Sequence, residues 1–229
     1  MVSPLIIAHR GASAEKPENT LAAFRRALAL EVDGIELDVQ VTRDRVPVVF
    51  HDPRLRRLTG VPGRLDARTW LELRPLLVHG REPIPRLVDV LRLTRGLAVV
   101  QIEMKSGPVA PIVRAIKAAR AAEWVILASF DARLVATARN LAPDIPRMLI
   151  SEGRLAPARL VRRLAACGAA GLSVNQRAIR SAAWLQHFHG RGYAVWSWTV
   201  NDPAIARRLA GWGVDALLGD DPALMKGAV

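Results

Sequence analysis

Residues 5–24, LIIAHRGASAEKPENTLAAF, pass from a strand pattern to a helical one within a short stretch. The apolar run at residues 5–8 is followed at once by His9, Arg10 and Gly11, and helical periodicity begins only at Thr20. A strand that ends in polar residues and leads through a loop into a helix is typical of a βα unit with functional groups at the carboxyl end of the strand.

The same alternation recurs along most of the chain. The candidate strands are residues 5–8, 34–39, 46–50, 97–102, 125–129, 147–150, 171–174, 193–199 and 214–218. The candidate helices are residues 20–30, 111–122, 131–141, 157–166, 181–189 and 202–212, with N-cap candidates Asp131, Ser181 and Asp202 and end signals Gly168 and Gly213. This alternation in 229 residues favours a closed (β/α)8 TIM barrel over an open doubly wound sheet. Nine candidates compete for eight places, and residues 147–150 have the weakest strand pattern.

Two stretches interrupt the alternation. Residues 36–51 leave no room for a helix, and the turn TRDR predicts a hairpin that brings His51 back beside Glu36 and Asp38. Residues 52–87 are rich in proline and arginine and form a short excursion after the third strand, too small for a second domain. We therefore expect a single domain over residues 1–229.

The composition is globular, with a strong positive charge. Hydrophobic residues make up 51% and charged residues 24% of the chain, and its formal net charge is +12. Such a field could attract nucleic acid, anionic lipid or a small phosphate ester. The arginines are spread over the helices, as in FRRAL, LVRRLAA and IARRLAG, and aromatic residues make up only 5%. Solvated helix faces explain this distribution better than a nucleic-acid groove does, so no nucleic-acid partner is expected.

The sequence predicts a cytoplasmic protein without a stable membrane anchor. No run approaches the roughly 20 apolar residues of a membrane-spanning helix. The segment MVSPLII lacks the basic region and long apolar core of a signal peptide. The single cysteine, Cys167, excludes an internal disulfide and is expected to be a small buried residue. The sequence leaves the oligomeric state open.

Ionisable side chains collect at the predicted strand ends, which in a barrel is where catalytic groups lie. The first four candidate strands and the last but one deliver, in order, His9 and Arg10, Glu36 and Asp38, His51 and Asp52, Glu103 and Lys105, and Trp198 and Asn201. Residues two apart on a strand lie on one face. The sequence therefore predicts that these groups meet at one end of the barrel.

Three of these carboxylates predict a metal site. Glu36, Asp38 and Glu103 would repel one another at the barrel mouth unless a cation lay between them. Oxygen ligands of this kind suit Ca²⁺ or Mg²⁺, and Mn²⁺ is also compatible. The alternative is that Glu36 or Asp38 forms a structural ion pair with Arg10 or Lys105.

The two histidines predict acid–base chemistry. Imidazoles can bind Zn²⁺, but the surrounding ligands are oxygen donors, and His9 and His51 lack the spacing of a zinc motif. Two imidazoles beside a metal suit proton transfer better, and Arg10 and Lys105 would attract a phosphoryl group. The set indicates metal-assisted phosphate-ester chemistry.

A resemblance to the glycerophosphodiester phosphodiesterase family is carried by seven segments in the family's order: AHRGASAEKPENTLAAF, DGIELDVQVTRD, PVVFHDPRL, IPRLVDVL, IEMKSG, ASF and WSWTVN. The resemblance runs over residues 6–222 and implies a (β/α)8 barrel that hydrolyses glycerophosphodiesters to glycerol 3-phosphate and an alcohol with a divalent cation. It also implies residue roles: catalytic His9 and His51, metal ligands Glu36, Asp38 and Glu103, phosphate- and metal-pocket residues Arg10, Glu18 and Lys105, and an aromatic pocket wall at Trp198.

Two positions depart from the family's pattern. Members often have an acidic residue where this chain has Arg56, and a Thr-Asp pair at the last strand where it has Gly219. Neither is expected to touch the catalytic set. Arg56 lies in the excursion that family members use to recognise the substrate, so the alcohol group and glycerol selectivity stay open. Two alternatives remain: a sphingomyelinase D-like phospholipase on the same barrel, and a non-catalytic phosphate- or nucleic-acid-binding protein.

Overall fold

The computed structural model describes residues 3–229, so the first two residues of the predicted single domain lie outside the described part. The strands are β1 (Leu5–His9), β2 (Gly34–Val41), β3 (Pro47–Val49), β4 (Leu77–Val78), β5 (Glu82–Pro83), β6 (Val99–Met104), β7 (Val125–Ser129), β8 (Arg147–Ser151), β9 (Gly171–Asn175), β10 (Ala194–Trp198) and β11 (Ala216–Gly219). The α-helices are α1 (Leu21–Ala29), α2 (Arg56–Thr59), α3 (Trp70–Leu73), α4 (Leu87–Thr94), α5 (Val109–Ala118), α6 (Ala132–Leu141), α7 (Pro157–Cys167), α8 (Ala182–His189), α9 (Pro203–Trp212) and α10 (Pro222–Lys226).

Eight parallel strands close into a barrel. Their order is β1-β11-β10-β9-β8-β7-β6-β2, and a parallel pairing of β1 with β2 closes the ring. Helices lie between most neighbouring strands, and two large apolar clusters fill the space between helices and barrel. The predicted TIM barrel is confirmed.

The suspicion that residues 147–150 are not a barrel strand is wrong. β8 begins at Arg147 and pairs with both β7 and β9. Its pattern is weak because it opens with a charged residue, whose guanidinium donates hydrogen bonds to nearby backbone carbonyls. Of the nine predicted strands, the one outside the barrel is residues 46–50, where β3 pairs antiparallel with β2.

Local capping explains where most helices begin and end. Asp131, Ser181 and Asp202 each accept a backbone hydrogen bond at the start of α6, α8 and α9, as expected. The fifth helix begins and ends earlier than residues 111–122, the predicted range. Pro111 falls in its first turn, where a missing N–H does no harm, and Arg120 leaves helical geometry with a φ of 53°.

The excursion packs on β3 through its own small apolar cluster. Its elements are α2, α3 and the hairpin β4–β5, whose turn contains His79 and Arg81. The cluster joins Val48 and Phe50 to six excursion residues, Leu55, Leu58, Leu65, Leu73, Val78 and Ile84. The excursion is therefore held against the β2–β3 hairpin that carries His51.

Two further expectations concern burial and membranes. Cys167 is 3% exposed at the end of α7, as expected, and burial raises the pKa of its thiol. Within residues 3–229, no helix combines the length and the apolar character required to cross a membrane.

Candidate active site at the mouth of the barrel

Strand register brings the predicted site residues side by side. His9 on β1 is opposite Glu36 on β2, and Asp38 on β2 is opposite Glu103 on β6. The antiparallel hairpin of β2 and β3 returns the chain to the same end, where His51 lines one cavity with His9 and Glu36. The predicted hairpin is confirmed, and it explains how His51 reaches the barrel mouth.

Glu36, Asp38 and Glu103 form a buried acidic cluster. Each offers a carboxylate oxygen within 4.8 Å of the others, and the three residues are 4%, 1% and 8% exposed. Burial and the neighbouring Asp38 charge raise the pKa of Glu36 and of Glu103. Hard oxygen donors that repel one another in this way fit a divalent cation. The cluster could therefore hold such an ion.

Arg10 and Lys105 compensate part of this negative charge. Arg10 Nε lies 3.2 Å from Asp38 Oδ2, without hydrogen-bond geometry, and Lys105 Nζ lies 2.8 Å from Glu103 and 3.4 Å from Asp38. Burial alone would raise the pKa of Asp38, but the two cations hold it below its ordinary value. The structural ion pairs considered above are thus present for Asp38. Glu36 has no arginine or lysine side chain in ion-pair contact anywhere in residues 3–229.

His9 is held by a carboxylate from the end of the last strand. Its Nδ1 lies 2.7 Å from Asp220 Oδ1, and its Nε2 lies 3.9 Å from Glu36 Oε2. Burial lowers the pKa of His9, but the Asp220 contact and the Glu36 charge outweigh it, so the pKa is raised. Burial would raise the pKa of Asp220, but the hydrogen bond and charge of His9 lower it to about 2. An ionised Asp220 accepts a hydrogen bond from the Nδ1–H group of His9, which leaves Nε2 directed at the acidic cluster.

His51 has a similar partner, its sequence neighbour. His51 Nδ1 lies 2.7 Å from Asp52 Oδ1. Hydrogen bonds from Arg57 and His51 lower the pKa of Asp52 to about 2. Burial lowers the pKa of His51 and outweighs the charge of Asp38. Both histidines therefore have Nδ1 fixed by a carboxylate, which leaves Nε2 available for chemistry.

Glu18 lies at the rim and connects the barrel to the excursion. It accepts a hydrogen bond of 2.9 Å from Arg10 and two more, of 3.0 and 2.8 Å, from Arg57. Burial alone would raise its pKa, but these arginines lower it. Glu18 lines a second, neighbouring groove rather than the cavity that His9, Glu36 and His51 line.

Three polar residues at the site were missed by sequence reasoning: Asn19, Arg57 and Asp220. Asn19 donates a hydrogen bond of 2.8 Å to Asp38, Arg57 holds Asp52, and Asp220 holds His9. Each lies next to a residue that the sequence analysis discussed, in the segments PENT, LRRLTG and LLGDDP. The signal for Asp220 was its place at the end of a barrel strand, the rule that the sequence analysis applied to five other candidate strands.

The cavity that His9, Glu36 and His51 line, here called the catalytic cavity of the candidate site, has a volume of about 220 Å³ and one apolar wall. Trp198 and Phe130 form that wall as an edge-to-face pair with ring centroids 5.7 Å apart. Trp198 thus lies where the family resemblance implied an aromatic side chain. Arg10, Gln101, Lys105 and both histidines are among the polar residues that line the cavity.

Comparisons with known proteins identify the family to which this chain is similar. The sequence model of the glycerophosphoryl diester phosphodiesterase family matches residues 9–224. A glycerophosphodiester phosphodiesterase of Caldanaerobacter subterraneus is 34% identical over 233 residues, covering 95% of this chain and 94% of that protein. The structure of an Oleispira antarctica phosphodiesterase in complex with the product sn-glycerol-3-phosphate has a TM-score of 0.91 at 28% identity, covering 99% and 96% of the two chains. A glycerophosphodiester phosphodiesterase from Agrobacterium tumefaciens has a TM-score of 0.84 at 26% identity, covering 98% and 99%. Because the family match spans nearly the whole chain, this protein belongs to the glycerophosphoryl diester phosphodiesterase family.

Proposed function

We propose that this chain hydrolyses glycerophosphodiesters to glycerol 3-phosphate and an alcohol, with His9 and His51 as acid and base. One observation carries the proposal: the imidazoles of His9, at the end of β1, and His51, just after β3, line one cavity, and each has Nδ1 held by a carboxylate. Diester hydrolysis needs one group that takes a proton and one that gives a proton. A non-catalytic phosphate binder would use cations but has no need of two oriented imidazoles.

Glu36, Asp38 and Glu103 would hold one divalent cation. When bound, such an ion neutralises phosphoryl charge and makes the phosphorus a better electrophile. Mg²⁺ or Ca²⁺ suits three carboxylate oxygens, and Mn²⁺ is a third candidate. Arg10 and Lys105 line the same cavity and would orient the non-bridging oxygens of the substrate.

The two imidazoles balance the protons of the reaction. The attacking oxygen, from water or from a neighbouring substrate hydroxyl, gives its proton to Nε2 of one histidine as the new O–P bond forms. The bond from phosphorus to the leaving oxygen breaks, and the other histidine donates its Nε2 proton to that oxygen. Where the attacking oxygen is a substrate hydroxyl, this step leaves a cyclic phosphodiester, and water opens that ring in a second step in which the two histidines exchange roles, giving glycerol 3-phosphate. Asp220 and Asp52 orient the two rings throughout.

We also propose that residues 1–229 act as one domain, in the cytoplasm, on a small molecule rather than on nucleic acid. The excursion packs on β3 through shared apolar residues, which supports a single folding unit. A lone buried cysteine suits a reducing compartment. Cell fractionation and a filter-binding assay with RNA and DNA test the location and the partner.

The function is tested by measuring glycerol 3-phosphate release from glycerophosphocholine and glycerophosphoethanolamine, with EDTA, Ca²⁺, Mg²⁺ or Mn²⁺. We expect metal-dependent release, and a loss of about 10²–10⁴-fold in His9→Gln and His51→Gln. The matched control is His189→Gln, which breaks a histidine–aspartate contact of 2.9 Å on α8, outside the site, and should leave turnover unchanged. Folded protein that binds metal and cleaves neither diester would contradict the proposal.

A further inference from the structure

The substrate of the proposed reaction has two arms, the glycerol and the second alcohol that are joined by the phosphate. The catalytic cavity is small for both arms together. Its volume of about 220 Å³ lies below the roughly 300–1,000 Å³ of typical small-molecule sites. A second opening of about 880 Å³ shares His9 and Arg10 with it. This outer groove is bounded by residues 13–18 after β1, by the hairpin turn at His79 and Arg81, and by residues 220–224 after β11.

We propose that the outer groove binds the alcohol arm of the substrate and favours an alcohol that bears its own phosphate or similar anionic group. The proposal rests on the function proposed above and names the class of diester that this chain prefers. The two openings meet at a catalytic histidine, so a phosphodiester placed there extends one ester arm into each.

Three basic side chains of the outer groove have no bonded partner among the described residues. Lys16, His79 and Arg81 are exposed, and their side chains make no hydrogen bond or ion pair with any part of the chain that the structure describes. Lys16 and Arg81 are cationic side chains that line the same groove from two different segments, the loop after β1 and the excursion hairpin. An anionic group bound in the groove would be attracted to both.

The carboxylates of the same groove already have partners. Glu15 receives two hydrogen bonds from Arg26, of 2.7 and 3.1 Å. Glu18 is bound by Arg10 and Arg57, and Asp220 by His9, as described above.

The last groove carboxylate, that of Asp221, accepts the backbone N–H of Leu224 at the start of α10, at 2.9 Å. Asp221 keeps its negative charge, but Lys16 and Arg81 outnumber it among the charged groove side chains that have no oppositely charged partner in the described residues. A phosphorylated alcohol gains from this excess of positive charge, whereas a quaternary ammonium arm does not.

A matched pair of substrates tests the inference. Glycerophosphoinositol and glycerophosphoinositol 4-phosphate differ by one phosphate on the alcohol arm. We expect the wild type to cleave the phosphorylated substrate with kcat/KM higher by about fivefold to tenfold, an effect that shrinks as salt rises. The double variant Lys16→Gln/Arg81→Gln should lose this preference through a higher KM, and should cleave glycerophosphoinositol within about twofold of wild type.

The control removes the same charges elsewhere. Lys117→Gln/Arg162→Gln takes one lysine and one arginine from exposed positions on α5 and α7, and should keep the preference. An equal loss of preference in both double variants would assign the effect to the overall field of the protein and would contradict binding in the outer groove. A wild-type enzyme with the same kcat/KM for the two substrates would also contradict the proposal.

Binding of the product alcohol separates this inference from the proposed function. Calorimetric titration with inositol 4-phosphate requires no turnover. Binding that is lost in Lys16→Gln/Arg81→Gln and kept in the control supports the groove even if no diester is cleaved. Equal binding by the wild type and this double variant, or none by either, overturns it.

Discussion

At the scale of single residues, carboxylates of two kinds serve the site. Glu36, Asp38 and Glu103 are crowded and buried, so they suit a cation. Asp52 and Asp220 instead each face one histidine, and the pKa of each is lowered to about 2 by its hydrogen bonds. The lowered pKa keeps both ionised at neutral pH, as a group that orients an imidazole must be.

Asp220→Asn is expected to lower kcat by about 10–100-fold, because an amide holds the Nδ1 proton of His9 less well than a carboxylate does. KM should change by less than about threefold, since Asp220 does not itself bind the phosphoryl group in the proposed mechanism. Steady-state kinetics on glycerophosphocholine measure both constants. The control Asp221→Asn alters the adjacent carboxylate, which contacts the start of α10 instead of His9, and should keep kcat within about twofold. Equal losses in both variants would argue against a positioning role for Asp220.

The lowered pKa of Asp52 predicts that this residue contributes to the free energy of unfolding in a pH-dependent way. Its pKa is about 2 in the folded protein and 3.8 without its partners, so its contribution is present above about pH 4 and is lost as the pH falls towards 2. The free energy of unfolding of wild type should exceed that of Asp52→Asn at pH 5, by less than about 1 kcal/mol because the ion pair with Arg57 is partly exposed. The difference should shrink at pH 2.5, as measured by urea unfolding.

The exposed Asp144 provides the comparison for this measurement. Asp144→Asn removes one carboxylate without removing an ion pair to any described residue. If the difference between wild type and Asp52→Asn stayed constant from pH 5 to pH 2.5, the Asp52 interactions would not contribute as described.

At the scale of elements, the end of β11 explains one departure from the family's pattern. A side chain on Gly219 would meet the backbone oxygen of Val200 and the side chain of Met225. In this chain the loop after β10 and helix α10 therefore pack directly on β11, and only glycine fits between them. The next residue, Asp220, is thereby placed against His9.

Gly219→Ala should destabilise the protein by about 1–3 kcal/mol, because the added methyl group forces α10 or the loop at Val200 to move. For a protein of this size each kcal/mol corresponds to about 2–4 °C in Tm, which differential scanning calorimetry can measure. The control is Gly211→Ala in the last turn of α9, where a methyl group meets nothing within 4 Å. That change should leave stability unchanged or raise it by up to about 0.5–1 kcal/mol, because alanine favours helix. A Gly219→Ala protein as stable as wild type would refute the packing argument.

At the scale of the whole molecule, barrel closure turns scattered residues into a site. His9 and Asp220 are 211 positions apart in sequence and 2.7 Å apart in space, because β11 pairs with β1. Closure also places the acidic cluster inside a low-dielectric protein, where mutual repulsion costs most. The stability of the whole barrel should therefore respond to whatever occupies that cluster.

A divalent cation is expected to raise the Tm of the whole protein. At a concentration one hundred times its Kd, binding to the folded state adds about 2.7 kcal/mol, or roughly 5–10 °C in Tm. Glu36→Gln removes one ligand, so the metal-induced rise should fall sharply. In EDTA the same variant should be at least as stable as wild type, because the buried Glu36 carboxyl, whose pKa is raised to about 8, must either repel its neighbours or take up a proton on folding, and glutamine does neither.

Thermal unfolding in EDTA, Mg²⁺ and Ca²⁺ measures this effect without any substrate. The exposed pair Arg64 and Asp66 provides a control, because Asp66→Asn removes a carboxylate far from any predicted ligand in sequence. It should keep the full metal-induced rise. A wild-type Tm that is the same in EDTA and in both metals would show that the acidic cluster binds neither ion.

The sequence by itself determined the barrel, the β2–β3 hairpin, the strand-end residues and the family, because each depends on patterns of residues that are close together in the chain. Strand and helix periods, caps such as Asp202 and the turn TRDR depend on residues close together in the chain. The segments that resemble the family are also contiguous. Local reasoning failed where a pattern was ambiguous: Arg147 weakened a true barrel strand, and the apolar β3 imitated one.

Only the tertiary structure decided which partners the site residues have. The contact of Asp220 with His9 and the bridge from Glu18 to Arg57 join residues that are 211 and 39 positions apart in sequence. The physical reason is that hydrogen bonds and ion pairs act over a few ångströms in space, whereas sequence patterns report only on neighbours along the chain. Closing the barrel brings those distant segments within that range.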